Sequence, residues 1–131
     1  MDEESFEKIE QIIGYKFSNR ELLTMAFMHS SVTANRLESN ERLEFLGDSI
    51  LGMVTCQTLF NRFPNYLEGD LTKVKSMLVS RRTCARIAKQ FGLQKLLNVG
   101  KGIAFSGAIT GSLAAGLLEA IIAAIYIDGG L

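Results

Sequence analysis

The sequence predicts an all-α domain, and three observations predict it. Apolar residues recur every three to four positions, period-2 alternation is nearly absent, and Gly, Asn, Ser and the single Pro64 punctuate the pattern. Phe6, Ile9, Ile12 and Ile13 write a first amphipathic helix that stops near Gly14. "SNRE", Ser18 to Glu21, is a capping-box pattern that opens a second helix, with Leu22, Leu23, Ala26 and Phe27 as its buried stripe. A polar connector from Ser30 to Ser39 leads into a long helix that can run to about Phe63, where Pro64 forbids continuation. Gly69 to Leu78 and Ser80 to Phe91 follow as two more helices, with Ser80 as an N-cap. A short helix near Leu93 to Leu97 and a Gly-rich loop, Gly100 to Gly111, precede the last helix from Ser112 to Ile127.

Composition bounds the function. At 131 residues and 47% hydrophobic, the chain matches one domain with its own core, residues 1–131. Fourteen basic and fourteen acidic residues cancel, and a neutral total can still hide a local basic patch. Cys56 and Cys84 are too few for a disulfide framework and lack metal-ligand spacing, so both read as reduced, buried thiols. "MDEESFEKIEQ" is acidic and polar, unlike a secretory signal. The most apolar segment, Leu113 to Ile127, carries Glu119 and falls short of a membrane span. The expectation is a soluble, cytoplasmic domain with no membrane partner and no small-molecule cofactor.

The stretch with chemistry in it is "NERLEFLGDSILG", Asn40 to Gly52. Glu41 and Glu44 are three apart, and Glu44 and Asp48 four apart, so on a helix the three acids share a face. Leu43, Leu46, Ile50, Leu51 and Val54 form the adjacent stripe, directed to the core. Like charges at these spacings repel by a few tenths of a kcal/mol, so the helix gains nothing from them. Glu119 is a fourth acid, set among Leu117, Leu118, Ile121 and Ile122. An acid in such a setting pairs with a base, for which Arg42 and Arg86 are candidates, or shares a cation with other acids. Carboxylates and water are natural ligands of Mg²⁺ or Mn²⁺. Both readings stand on spacing alone.

"ERLEFLGDS", Glu41 to Ser49, resembles the signature of the ribonuclease III family, and the flanking blocks are collinear with it. "IGYKFSNRELLTMAFMHSS" is similar to the family's N-terminal helices, "EGDLTKVKSMLVS" to its central helix and "LEAIIAAIYIDGG" to its last long helix. The resemblance implies a helical endonuclease domain that pairs into a homodimer. It further implies cleavage of double-stranded RNA with Mg²⁺, or Mn²⁺ as substitute, leaving 5′-phosphate and 3′-hydroxyl ends. Position by position, Glu44 and Glu119 match metal ligands, and Asp48 matches the catalytic acid beside the metal and its water. Glu41 and Glu68 match acids lining the same catalytic valley. No Ser, Cys or His is needed as a covalent nucleophile.

Two departures stand out. The family carries an Asp three residues before the last-helix Glu; here that position is Gly116, which supplies no ligand and costs the helix roughly 1 kcal/mol relative to alanine. Asp128 lies beyond the predicted helix, where the family also has an Asp, and does not substitute. Family members also usually continue into a double-stranded-RNA-binding domain, which this chain does not include, so it reads as trimmed to the catalytic part.

Other residues admit two readings each. Phe45, between the acids, is ordinary core or, as the resemblance implies, a dimer contact whose ring enters a pocket of the partner. His29 reads as a hydrogen-bonded structural group rather than a base. Lys73, Lys75, Arg81, Arg82, Arg86 and Lys89 are a solvated face or, in part, RNA phosphate contacts, for which Lys73, Lys75, Arg81 and Arg82 are the candidates. "GKG", Gly100 to Gly102, is a turn, because the rest of a phosphate loop is missing. Two function classes follow. Retention of Glu41, Glu44, Asp48, Glu68 and Glu119 favours an active endoribonuclease. Gly116 favours a weakened or silent relative that binds RNA or a ribonucleoprotein.

Overall fold

The computed structural model describes residues 1–97 and 111–131. Among them the chain forms α1 (Glu3–Ile13), α2 (Arg20–Ala26), α3 (Glu41–Arg62), α4 (Glu68–Leu78), α5 (Arg81–Gln90) and α6 (Gly111–Gly129). Short 3₁₀ turns occupy Ser30–Val32, Arg36–Glu38 and Leu93–Leu96, and no strand forms among the described residues. The all-α expectation holds. The Gly-rich loop expected over Gly100 to Gly111, with its "GKG" turn, lies outside the described residues up to residue 110.

Local sequence explains most helix ends. Gly14 stops α1 in the left-handed region at φ 73°, where its amide donates to the Glu10 carbonyl. Ser80 caps α5 by accepting from the Thr83 amide. One cap differs from expectation: Asn19, not Ser18, caps α2, accepting from the Glu21 amide. The Ser18 and Asn19 amides both donate to Asp128 of α6 at 2.8 Å.

The last helix is the centre of the fold. It packs chiefly against α3 and α5, and against α2 at a third side. Leu117, Ala120, Ile121, Ala123 and Ala124 meet Leu43 and Ile50 of α3, Leu23 and Ala26 of α2 and Ile9 of α1 in the main core. A smaller cluster joins Cys84, Ala85 and Ala88 of α5 to Ala114 and Ala115 of α6. Small residues on both sides bring these two helices together, and that sets the base of α5 beside Glu119. Truncating a fully buried residue such as Leu117 to Ala would cost about 2–5 kcal/mol.

Helix α6 is 19 residues long with a mean hydropathy of 1.6, so by length and composition alone it could cross a membrane, contrary to the shorter span expected. Its apolarity is already used: Ala114 to Leu117 and Ala120, Ile121, Ala123 and Ala124 are buried inside the domain. Two other burial expectations fail. Val54 is 43% exposed, lining an open groove with Ile122, Ile125 and Tyr126 of α6. Cys56 is exposed as well, whereas Cys84 is buried as expected.

Candidate active site

Glycine sets how closely α3 and α6 cross. A Cβ on Gly47 would lie 1.7 Å from the backbone oxygen of Glu119, so no other residue fits there without parting the helices. This contact puts the turn of α3 that carries Glu44 and Asp48 against the turn of α6 that carries Glu119. Nothing in the apolar period marks Gly47 for this role; a glycine inside an otherwise strong helix was the available signal.

The start of α3 is fixed independently. Buried Asn40 receives no side-chain cap role; its amide donates to the Met28 carbonyl at 2.8 Å and its Nδ2 to the Ala26 carbonyl at 3.1 Å. The first turn of α3, with Glu41 and Glu44, is thereby tied to the end of α2.

Three of the predicted acids meet. Glu119 is buried at 4% exposure, Glu44 is half-buried and Asp48 is exposed at the mouth. Burial pushes the Glu119 carboxyl up to about 7, and a hydrogen bond and like charge from Asp48 push the same way, with Glu44 adding a smaller repulsion. Arg81 opposes them. Its Nη1 donates to Glu119 Oε1 at 3.3 Å and its Nη2 to Glu44 Oε1 at 3.2 Å, and Nη2 also reaches the Ser112 carbonyl at 3.0 Å. The base beside Glu119 is therefore Arg81, not the Arg42 or Arg86 considered from sequence. The reason is topological: the small-residue contact of α5 with α6 brings the first turn of α5, rather than its middle, to Glu119.

Gly116 faces this site, as the spacing implied. A Cβ there would stand 2.6 Å from Glu44 Oε2, so the Glu44 carboxylate lies in the space that a larger side chain would take. With Glu44 over Gly116 and Arg81 between the carboxylates, the described residues form no ready cluster of three metal-ligating side chains. The donor chemistry nevertheless suits a hard cation: three carboxylates, one of them buried. Glu44 and Arg81 are the groups whose side chains must shift to admit it.

The other predicted residues stand apart. Glu41 forms a two-bond pair with Arg36, with distances of 2.7 and 3.2 Å, which holds its carboxyl below the usual range. Glu68 is exposed at the start of α4 and accepts from the Thr72 hydroxyl at 3.0 Å. Neither joins the Glu44, Asp48 and Glu119 group within one chain. His29 caps the first 3₁₀ turn, its Nδ1 accepting from the Ser31 amide at 3.1 Å, in keeping with a structural role.

The basic residues divide four ways. Lys75 lies over Gly52 of α3. Arg81 takes the acids. Arg81, Arg82, Arg86 and Lys89 also line, with Gly111 and Ser112, a cleft of about 740 Å³ on the outer side of α5. Lys73 is exposed on α4.

Sequence comparison decides the family. The sequence model described as Ribonuclease-III-like matches residues 19–131. The chain belongs to the ribonuclease-III-like family. It is 51% identical to a ribonuclease 3 of Rhodopirellula baltica over 124 residues, covering 95% of this chain and 47% of that one. It is 45% identical to a ribonuclease 3 of Anaplasma phagocytophilum over 126 residues, covering 95% and 53%. The chain thus spans about half the length of the curated relatives it matches. The solved nuclease domain of the Campylobacter jejuni ribonuclease III superposes with a TM-score of 0.91 at 36% identity, covering 95% of this chain and 87% of that one. That nuclease domain has a flexible region involved in dimer formation.

This ribonuclease-III-like chain also leaves an aromatic residue uncovered. Phe45 is 79% exposed, so the core reading fails. Beside it opens a groove of about 580 Å³ with Leu22, Met25, Leu37, Leu46 and Ile127 among its walls. The ring and the apolar groove lie on one face. A further residue that sequence reading undervalued is Asp128, which lies within α6 rather than beyond it. It accepts from the Tyr15 hydroxyl and the Ser18 and Asn19 amides, each at 2.8 Å, and these bonds, led by the Ser18 amide, hold its carboxyl low. It is a clamp between the end of α6 and the α1–α2 connection, not a ligand.

Proposed function

We propose that this domain is the nuclease part of an endoribonuclease that hydrolyses phosphodiester bonds of double-stranded RNA with a divalent cation, working as a homodimer. The observation that carries the reading is the meeting of Glu44 and Asp48 with Glu119 inside a ribonuclease III nuclease fold. Glu44, Asp48 and Glu119 would hold Mg²⁺, or Mn²⁺ in its place. When bound, such an ion supplies Lewis acidity to water and neutralises charge on the phosphate.

The chain's own groups then have distinct tasks. Glu119, buried and anchored by the α3–α6 crossing, fixes the position of the centre, and Glu44 closes it from the α3 side. Asp48, open to solvent beside both, orients the attacking water and takes its proton. The water oxygen bonds to phosphorus, the bond from phosphorus to the 3′ oxygen breaks, and that oxygen takes a proton from solvent water as it leaves. The ends are a 5′-phosphate and a 3′-hydroxyl. Lys73, Lys75, Arg81 and Arg82 would meet backbone phosphates, which carry shape rather than sequence recognition of the duplex. Phe45 would enter the apolar groove of a second copy, and Glu41 and Glu68 would line the valley that pairing creates.

The second reading, a weakened or silent relative that binds RNA or a ribonucleoprotein, rests on Gly116, which removes one carboxylate from the family pattern. One assay separates them. A plain RNA duplex incubated with the protein and Mg²⁺ should be cut, the single strand should not, and Asp48→Asn should abolish cutting. Duplex binding without cutting in Mg²⁺ and in Mn²⁺ would favour the silent relative.

A further inference from the structure

Arg81 is an unusual neighbour for a metal site. It sits in the first turn of α5, just after the Ser80 N-cap, where the helix macrodipole is positive and a cation is disfavoured. No acid occupies that turn to offset it, and Arg82 follows directly. What holds the guanidinium there is the opposite wall. It bridges Glu119 Oε1 and Glu44 Oε1, and takes the Ser112 carbonyl at 3.0 Å and hydroxyl at 3.4 Å as well.

These are the carboxylate oxygens that a divalent ion would need. A planar fork can span two carboxylates that a point charge could not. We propose that Arg81 is an intramolecular counter-cation that occupies the carboxylates of the metal site and competes with the divalent ion for them. The inference rests on the metal-site reading above and adds to it a residue that no ligand pattern would select.

Three features of the structure support competition rather than simple proximity. The two bonds to carboxylates are long for charge-assisted ones, at 3.2 and 3.3 Å, so the guanidinium holds them loosely. The Arg81 side chain is 52% exposed, so it can leave without unfolding anything. With Gly116 in place of a carboxylate, the site holds fewer negative charges to bind both cations at once, which sharpens the competition.

The test uses Mn²⁺ as the probe, read by its electron paramagnetic resonance signal, with thermal unfolding in EDTA as a second readout. Arg81→Gln should bind Mn²⁺ about 10-fold more tightly than the parent chain, and it should melt at a lower temperature in EDTA because the carboxylates lose their cation. Arg82→Gln removes the same charge from the same turn without a carboxylate partner and should leave Mn²⁺ affinity within about 2-fold. Equal or weaker Mn²⁺ binding by Arg81→Gln overturns the proposal, as does an equal gain from Arg82→Gln, which would mean only that net charge matters. If neither Arg81→Gln nor the parent binds Mn²⁺ at millimolar concentration, the metal site itself is refuted and the competition with it. In that case a lowered melting temperature in EDTA would still report the ion pairs.

Discussion

Replacing Glu119 by Gln should stabilise the metal-free domain above neutral pH while removing its nuclease activity. The carboxyl is raised from 4.5 to about 7, chiefly by burial. At about 1.4 kcal/mol per pKa unit, holding Glu119 charged in the fold costs about 3 kcal/mol. Below about pH 4.5 the group is neutral in the folded and unfolded states alike, and the cost vanishes. Between pH 4.5 and 7 the folded chain keeps a proton that the unfolded chain has lost, so stability falls as pH rises, and above about 7 the full cost is present. Gln keeps the shape and the acceptor for Arg81 but cannot ionise. In EDTA at pH 8 the variant should therefore melt on the order of 10 °C higher than the parent, with the gap closing at pH 5. A divalent ion should raise the melting temperature of the parent and not of Glu119→Gln. Melting curves at pH 5, 6, 7 and 8, with EDTA or Mg²⁺, decide the matter. A gap that is constant with pH, or a variant less stable at pH 8, would refute the account of Glu119 as a destabilised acid kept for its chemistry.

Three other predictions follow from single contacts. Gly47→Ala forces a carbon to within 1.7 Å of the Glu119 backbone oxygen, so it should destabilise by about 3 kcal/mol or more, seen as a large drop in the urea midpoint. Phe45→Ala should leave the melting temperature of the monomer nearly unchanged and halve the mass seen by sedimentation at micromolar concentration, because the ring is exposed in one copy. A parent chain that sediments as a monomer of 14.4 kDa would contradict the pairing. Gly116→Asp should raise the cleavage rate at low Mg²⁺ by at least about 10-fold, by analogy with the smaller losses that outer-shell partners produce. It must first displace the Glu44 carboxylate, so its apo form should be no more stable than the parent.

The helices were legible because burial leaves a pattern: α1 carries the 3.6-residue period of a helix that buries one face, α6 is apolar nearly all round because it is packed on three sides, and Gly14, Ser80 and Pro64 are local stop and start signals. The failures share a cause. Asn19 rather than Ser18 caps α2, in a connection that Asp128, 110 residues from Ser18, ties down through both amides. Val54, in an open groove beside α6, and Cys56 are exposed, a fact of tertiary arrangement that periodicity does not contain. At the site, the three-and-four spacing brought Glu44 and Asp48 to one face correctly. It could not separate Glu41, which the 3₁₀ turn at Arg36 captures, nor choose Arg81 over Arg42 and Arg86. Pairing partners across a fold depend on which helices can approach, and here Gly47 and a run of alanines decide that. Glycine and alanine carry no chemical signature of what they let come near.

The claim that the α3 and α6 carboxylates form one divalent-ion site is tested most directly by counting Mn²⁺ bound per chain, by paramagnetic resonance, in the parent and in Glu44→Gln. The account predicts a site in the parent that is competed by Mg²⁺ and is lost or weakened about 10-fold or more in Glu44→Gln. Mn²⁺ bound equally well by both would place the ion elsewhere and contradict the account.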